Sequence, residues 1–351
     1  MTVVVVGAGI VGASIAYHLA RDGVPVTVIA RDAGVTASSF AWIGGTDGDG
    51  WPGGAADLRP FVLAGWRRLA ESVPGISVRW CGSLQWPAGA GPGTPPAAPH
   101  QSAPHQSALP AGRARLGPGE VAVLEPQLNA AAGSLNPAFP IYTPSDGGVD
   151  AAAAARALLV AARECGARVV SGATVTAVRD GGVMSSVGWH PASAVVLAAG
   201  AGIGALEPRV SVPPSPALLL RLRGPAGLVR TIVATPSVEV RALNDDGVLL
   251  ATTPLGPAPD RSWTALRARA GEALSRLRAA FGAGLRLTGW SVGDRPMPAG
   301  GPIIGRLDSR VYVAAMHSAV CLAPVAGRLI AQEIGTGRPA PELAGCRPSR
   351  S

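Results

Sequence analysis

Val3-Val4-Val5-Val6-Gly7-Ala8-Gly9-Ile10-Val11-Gly12, a β-branched run closed by three glycines, carries the strongest structural signal in the sequence. With Thr2 in front, the run Thr2–Val6 fits a strand of a parallel sheet buried on both faces. Residues Val11–Arg21 follow with helical spacing, Ile15 and Leu19 lying four apart, and Val24–Ile29 is a second β-branched run behind Gly23. A βαβ unit therefore opens the chain. Its turn has the G-x-G-x-x-G spacing in a strand-to-helix context, which turns a weak pattern into a strong one. Gly7 permits the sharp turn, Gly9 lets a pyrophosphate approach the backbone, and Gly12 lets helix and strand pack. Ala8, Ile10 and Val11 supply amides at a helix N-terminus with positive dipole character. The same spacing normally comes with an acid about 20 residues on that holds ribose hydroxyls. Here the second strand ends Val28-Ile29-Ala30-Arg31-Asp32. Either Asp32 reaches back or ribose binding is weakened, and Arg31 either favours a phosphorylated ribose or is simply solvated.

At 351 residues the chain is long enough for about two domains. Hydrophobic residues make up 48% and charged residues 15%, with a mean hydropathy of +0.29, which excludes intrinsic disorder of the whole chain. All 30 basic residues are arginine. Without lysine there is no Schiff-base enzyme, no pyridoxal-phosphate anchor and no phosphate loop ending in Gly-Lys-Ser/Thr. The net charge of +8 is spread over scattered pairs such as Arg67 and Arg68, with the densest set, Arg261 to Arg278, on one helix. That pattern reads as a solvated basic face, and no nucleic-acid partner is expected. Cys81, Cys165, Cys321 and Cys346 have no C-x-x-C spacing, so no metal site is expected. The first 20 residues lack a basic n-region and are interrupted by glycines, so neither a signal peptide nor a membrane span is expected. A cytoplasmic protein with free thiols follows from that reading.

Further along, residues 88–118 are Ala/Gly/Pro-rich and repeat Pro-His-Gln-Ser-Ala at 99–103 and 104–108, which predicts a flexible low-complexity loop. Ala151–Glu164 reads as a helix capped by Asp150 and ended at Gly166. Strands are expected at Ala167–Val170, Thr174–Val178, Ala194–Ala198 and Val311–Ala314, with alternating β segments from Pro213 to Leu255. Ser262–Phe281 reads as an amphipathic helix, and a turn at His317–Cys321 precedes a final helix from about Leu322 to Ile334.

The opening Val3–Leu19, the segment Thr36-Ala37-Ser38-Ser39-Phe40-Ala41-Trp42, Asp146-Gly147-Gly148-Val149-Asp150, Val195–Gly200, Gly293-Asp294-Arg295-Pro296, Pro302-Ile303-Ile304-Gly305 and His317-Ser318 before Leu322-Ala323-Pro324 occur in this order. Together they resemble the D-amino-acid oxidase and glycine oxidase family of FAD-dependent oxidoreductases. The resemblance implies an α/β fold: a doubly wound, Rossmann-like FAD-binding domain from 1–75, 140–212 and 286–351, and a substrate domain with an antiparallel sheet from 76–139 and 213–285. By the same resemblance Gly7, Gly9 and Gly12 hold the FAD pyrophosphate and Val175 meets the adenine through its backbone. Ser38, Ser39 and Trp42 lie beside the phosphates and flavin, and Gly200, at the end of the Val195–Gly200 segment, is a further cofactor-binding position. The turn from His317 through Ala319, Val320, Cys321 and Leu322 approaches the flavin pyrimidine edge, where helix amides suit developing negative charge. Arg295 matches the arginine that grips a substrate carboxylate.

The chain also departs from the family pattern. Ala30 replaces the ribose acid, Ala319 and Cys321 replace a glycine and a threonine, and no lysine can sit over the flavin to activate dioxygen. Oxidase activity then falls to Arg295, His317 or the helix dipole. Three readings result: an FAD enzyme oxidising the C–N bond of an amino acid or related amine with dioxygen as acceptor, a dehydrogenase of the same fold using another acceptor, or a catalytically silent relative acting as a binding protein.

Overall fold

The computed structural model describes residues 1–45, 51–86, 112–129 and 140–348. Its contacts divide the chain into two compact units, one made of Met1–Val78, Val149–Pro216 and Gly293–Ser351, the other of Arg79–Gly148 and Ala217–Val292.

The first unit is built on a six-stranded sheet in the order Ile303–Arg306, Val311–Ala315, Ala194–Leu197, Val3–Val6, Val26–Ala30, Arg168–Ser171. All neighbours run parallel except the Ile303–Arg306 edge strand, which is antiparallel to Val311–Ala315. The period of two along a strand explains why four valines occur in a row. Val3 and Val5 enter one core and Val4 and Val6 the other, so neither face tolerates a polar residue. On one face lie the helices Ile10–Arg21, Ala151–Glu164 and Ala319–Thr336. The other core is closed by a three-stranded antiparallel sheet, Val175–Arg179, Gly182–Ser185 and Gly188–Pro191. Asp150 caps its helix as expected, accepting the Ala153 amide at 2.9 Å.

The first and last helices approach closely because their contact residues are small. A Cβ on Gly327 would stand 2.2 Å from Ser14 Oγ, and that hydroxyl donates to Ala323 O at 2.8 Å. The last helix begins at Ala319 rather than Leu322 and runs to Thr336. Pro324 is therefore its sixth residue, where a proline has no N–H to give to the carbonyl four residues back. That carbonyl, Val320 O, instead accepts the indole Nε1–H of fully buried Trp66 at 3.0 Å. The gap in the helical ladder is filled from a neighbouring helix, Val62–Ser72.

The second unit holds most of an eight-stranded sheet, ordered Arg286–Pro296, Pro214–Arg223, Val248–Pro254, Glu239–Ala242, Ile232–Ala234, Ser83–Gln85, Ile141–Thr143, Ala114–Arg115. The helix Trp263–Phe281, capped by Ser262, buries Leu266, Ala270, Ala273, Leu277 and Phe281 in one core with Leu218, Leu220 and Leu222. Of the stretch expected as a loop, 88–111 lies outside the described residues. Its end differs from expectation: Ala114–Arg115 pair with Tyr142 and Ile141, and Leu116 is buried. An apolar anchor and the Pro118 that opens helix Pro118–Leu124 give this end the order its composition does not suggest.

Candidate functional site

In the first unit the chain reverses direction across the sheet between Val3–Val6 and Ala194–Leu197, and at such a point a crevice opens beyond the carboxyl ends of the strands. Gly7 turns there with φ +110°, and a Cβ on it would meet Ala198 O at 2.4 Å. A Cβ on Gly12 would meet Gly7 O at 2.0 Å. These two glycines are thus required by the chain's own packing. At Gly9 the nearest atom to an added Cβ is Thr36 Oγ1, at 2.9 Å. The same hydroxyl accepts the Ile10 amide at 2.9 Å. The N-cap residue, Gly9, offers no side chain of its own, and the first turn has no acidic residue, so Thr36 takes up the Ile10 amide alone. The amides of Val11 and Gly12 have no intrahelical acceptor, which leaves them available to an anion. Ala8, in the turn itself, is half-buried and packs against the core.

Asp32 does not reach back along the strand. Its Oδ2 accepts Arg31 Nε at 2.9 Å and its Oδ1 accepts the Gly34 amide at 2.7 Å, capping its own turn. The Arg31 hydrogen bond, then the Gly34 one, hold the Asp32 carboxyl below its ordinary value. Both side chains are exposed, at 72% and 54%.

Three further segments of this unit are drawn together. The Gly293 backbone runs against Ser38, where an added Cβ would lie 3.1 Å from Ser38 O. Ser39 Oγ accepts the Ala41 amide at 3.1 Å, supporting Ala41 at φ +56°. Trp42 O accepts the Cys321 thiol at 3.1 Å. Two residues beyond Gly293, half-buried Arg295 donates Nε to Ser215 O at 3.2 Å and Nη2 to Ser215 Oγ at 3.0 Å. Burial and then the Arg295 charge lower the pKa of His317, so its imidazole is neutral at pH 7. Ser318 follows with φ +53° and ψ +30°, a left-handed conformation that glycine ordinarily takes, and caps the last helix without a side-chain bond. Ala319, Val320, Cys321 and Leu322 form that helix's first turn instead of preceding it. The positive φ sits at Ser318, so the methyl of Ala319 is an ordinary helical one.

Of the remaining expected positions, Gly200 turns at φ +59° just beyond Ala194–Leu197. Val175 is buried in the second core, which leaves its backbone as the part able to meet a ligand. Sequence reading alone does not single out Thr36, Ser215 and Ser318 as structural participants. Thr36 and Ser318 lie inside recognisable segments, but nothing in Pro213-Pro214-Ser215-Pro216 marks a serine facing an arginine 80 residues away. Among the described residues no cluster of three or more His, Cys, Asp and Glu is placed to hold a metal ion, and no helix is long and apolar enough to cross a membrane.

The sequence matches the family described as FAD dependent oxidoreductase (DAO) over residues 2–333. The chain belongs to the DAO family. Its fold is shared with the glycine oxidase from Geobacillus kaustophilus, at a TM-score of 0.80 and 23% identity over 99% of this chain and 98% of that one. L-proline dehydrogenase from P. horikoshii follows at 0.76 and 20% identity, covering 97% and 95%. Iminodiacetate oxidase from Chelativorans sp. BNC1 gives 0.75 and 23% identity, covering 99% and 98%. At these identities the solved structures show a common fold, and the DAO match supplies the class of chemistry, FAD-dependent oxidation and reduction. The residues present fit the dinucleotide the family uses: a helix N-terminus whose Val11 and Gly12 amides have no intrahelical acceptor follows Gly7-Ala8-Gly9, a turn with no bulky side chain.

Proposed function

We propose that this DAO-family chain oxidises the C–N bond of an amino acid or related amine, with FAD held noncovalently on the Gly7–Gly12 turn and the substrate carboxylate held by Arg295. FAD, when bound, supplies the hydride acceptor. The chain's own residues bind and orient. The Val11 and Gly12 amides and the dipole of their helix meet the pyrophosphate charge, while Gly200, Ser38, Ser39, Trp42 and the Val175 backbone complete the cofactor-binding set. Arg31 and Asp32, locked to each other, bound the ribose end without offering a free carboxylate. The amides of Ala319, Val320 and Cys321, which precede the first intrahelical bond from Leu322 N to Ser318 O, would favour negative charge on a bound FAD.

The observation that carries the reading is half-buried Arg295, whose guanidinium is held by Ser215 through Nε and Nη2 two residues beyond the Gly293–Ser38 contact. Its guanidinium suits a substrate carboxylate, and the His317 ring, kept neutral by burial first and the Arg295 charge second, adds no competing cation. An amine that enters neutral can give up the hydride on its α-carbon without a protein base. The first unit is proposed as the FAD domain and the second as the part that selects the substrate.

The acceptor for the electrons is proposed to be dioxygen. A dehydrogenase reading is favoured by one feature, the absence of any lysine that could sit over the flavin. Peroxide release during turnover of an amine panel supports the oxidase. Turnover with a quinone or dye and no peroxide replaces it by the dehydrogenase, and a preparation without bound flavin overturns both. Arg295→Ala should raise KM for a carboxylate-bearing amine about ten- to a hundredfold, as loss of a charge-assisted fork requires. Equal losses on the amino acid and its decarboxylated amine would remove the carboxylate role.

A further inference from the structure

Ser215 lies between Pro214 and Pro216, with Pro213 before them. Each proline fixes its own φ near −65° and lacks an N–H, and a residue that precedes proline is driven to extended backbone. Ser215 therefore has little conformational freedom. It stands at the start of strand Pro214–Arg223, next in the sheet to Arg286–Pro296, and the Met297 amide donates to Pro213 O at 2.9 Å, carrying the pairing past Arg295. From this stiff segment one residue offers two acceptors to one edge of the guanidinium, its carbonyl to Nε and its hydroxyl to Nη2.

We propose that Ser215 is a positioning residue for Arg295, fixing the plane of the guanidinium so that a substrate carboxylate meets the terminal Nη1–Nη2 edge. The inference rests on the carboxylate role proposed for Arg295. Two hydrogen bonds to a planar group stop its rotation, and a fork set in advance loses less entropy when a carboxylate docks. The chemistry of the partner matters as much as the geometry. Arg209 in the same unit is held by the carboxylates of Glu207 and Asp308, which cancel its charge and mark a structural pair. The acceptors of Ser215 are both neutral, so these two bonds orient the guanidinium without themselves opposing its charge.

The test compares Ser215→Ala, Ser215→Thr and Arg295→Ala on the flavin-loaded protein, using an amino acid and its decarboxylated amine. A calorimetric Kd for propionate gives a readout independent of turnover. Ser215→Ala removes one acceptor and should raise KM for the amino acid and Kd for propionate roughly three- to tenfold, with kcat and the KM of the plain amine unchanged. Ser215→Thr, which keeps the hydroxyl, should restore both values. If Arg295→Ala is selective for the carboxylate but Ser215→Ala changes both substrates alike, or neither, the positioning role is wrong while the function of Arg295 stands. If Arg295→Ala itself shows no selectivity and no loss of propionate binding, the carboxylate reading fails and the role of Ser215 goes with it.

Discussion

The turns Gly7–Gly12 and His317–Leu322 do the same job in one sheet with opposite means. Each leads from the carboxyl end of a strand into a helix, and only Ala194–Leu197 separates the two strands. The first turn bends at a glycine, and two of its three glycines are imposed by backbone atoms 2.0 and 2.4 Å from where a Cβ would stand. The second bends at Ser318, a residue that takes its left-handed conformation at a cost, beside a half-buried histidine and a thiol. Strain on a non-glycine residue persists where its surroundings over-determine it, which is common where chemistry occurs. The glycine turn is thus a packing solution that also fits the anion site proposed for it. The serine turn carries His317 and Cys321 on strained backbone.

The largest effect should separate the two turns outright. Gly12→Ala puts a methyl onto the Gly7 carbonyl, and we expect a loss of about 3 kcal/mol or more in urea unfolding of the flavin-free protein. Gly9→Ala meets the Thr36 hydroxyl at 2.9 Å and the Ala33 carbonyl only at an ordinary 3.5 Å, and should cost clearly less while still weakening flavin retention. Equal destabilisation by the two would mean that the glycines are not divided between packing and ligand approach.

Acid should act on one histidine in each region. His18, on the helix behind the first turn, is buried with both ring nitrogens unpartnered, and burial followed by the charges of Arg21, Arg328 and Arg68 lowers its pKa from 6.5 to about 3. Because its folded pKa lies below the unfolded one, its contribution is intact above pH 6.5 and is lost as pH falls toward 3. By about pH 4 this loss should reach on the order of 3 kcal/mol. Its counterpart in the second turn is His317, where the lowering has the same sign. His18→Leu should flatten most of the acid limb in urea midpoints measured against pH, and His317→Gln should flatten less of it. A steeper limb after His18→Leu would contradict the assignment.

Trp66→Phe tests the support beneath the second turn. It keeps an aromatic ring but leaves Val320 O without its donor, and the expected cost is about 1–3 kcal/mol by thermal or urea unfolding. Replacing Pro324 by alanine in the same background restores an N–H for that carbonyl and should recover part of the loss. The smallest effect belongs to Ser318→Gly, which relieves the left-handed strain but adds backbone entropy to the unfolded chain. A net gain below about 1 kcal/mol is expected, whereas Ser318→Val should be destabilising.

What is legible in the sequence follows the same division. Val3–Gly12 can be read because burial on both sheet faces and sterically required glycines leave a local pattern, and Ala151–Glu164 because Asp150 and Gly166 bracket it. The start of the last helix cannot be placed in this way, since a proline is ordinarily tolerated only in a first turn and Pro324 argues for a beginning near Leu322. What permits the earlier start is an indole from residue 66, a long-range donor that no window around 324 contains. Thr36 on Ile10 and Ser215 on Arg295 are likewise tertiary contacts, separated by 26 and 80 residues. Asp32 is visible as the nearest carboxylate, but its commitment to Gly34 and Arg31 depends on the turn it makes.

The small-residue contact between the first and last helices also has a kinetic consequence. Ser14 bonds Ala323 across 309 positions of sequence. At a synthesis rate of about 5–20 residues per second, the first helix waits roughly 15 to 60 s on the ribosome for its partner. During that interval the first helix can be covered only by its neighbouring strands and, later, by the Ala151–Glu164 helix of the same core. Contacts of such high separation slow folding, so the face of the first helix that meets Ala323 and Gly327 is completed late.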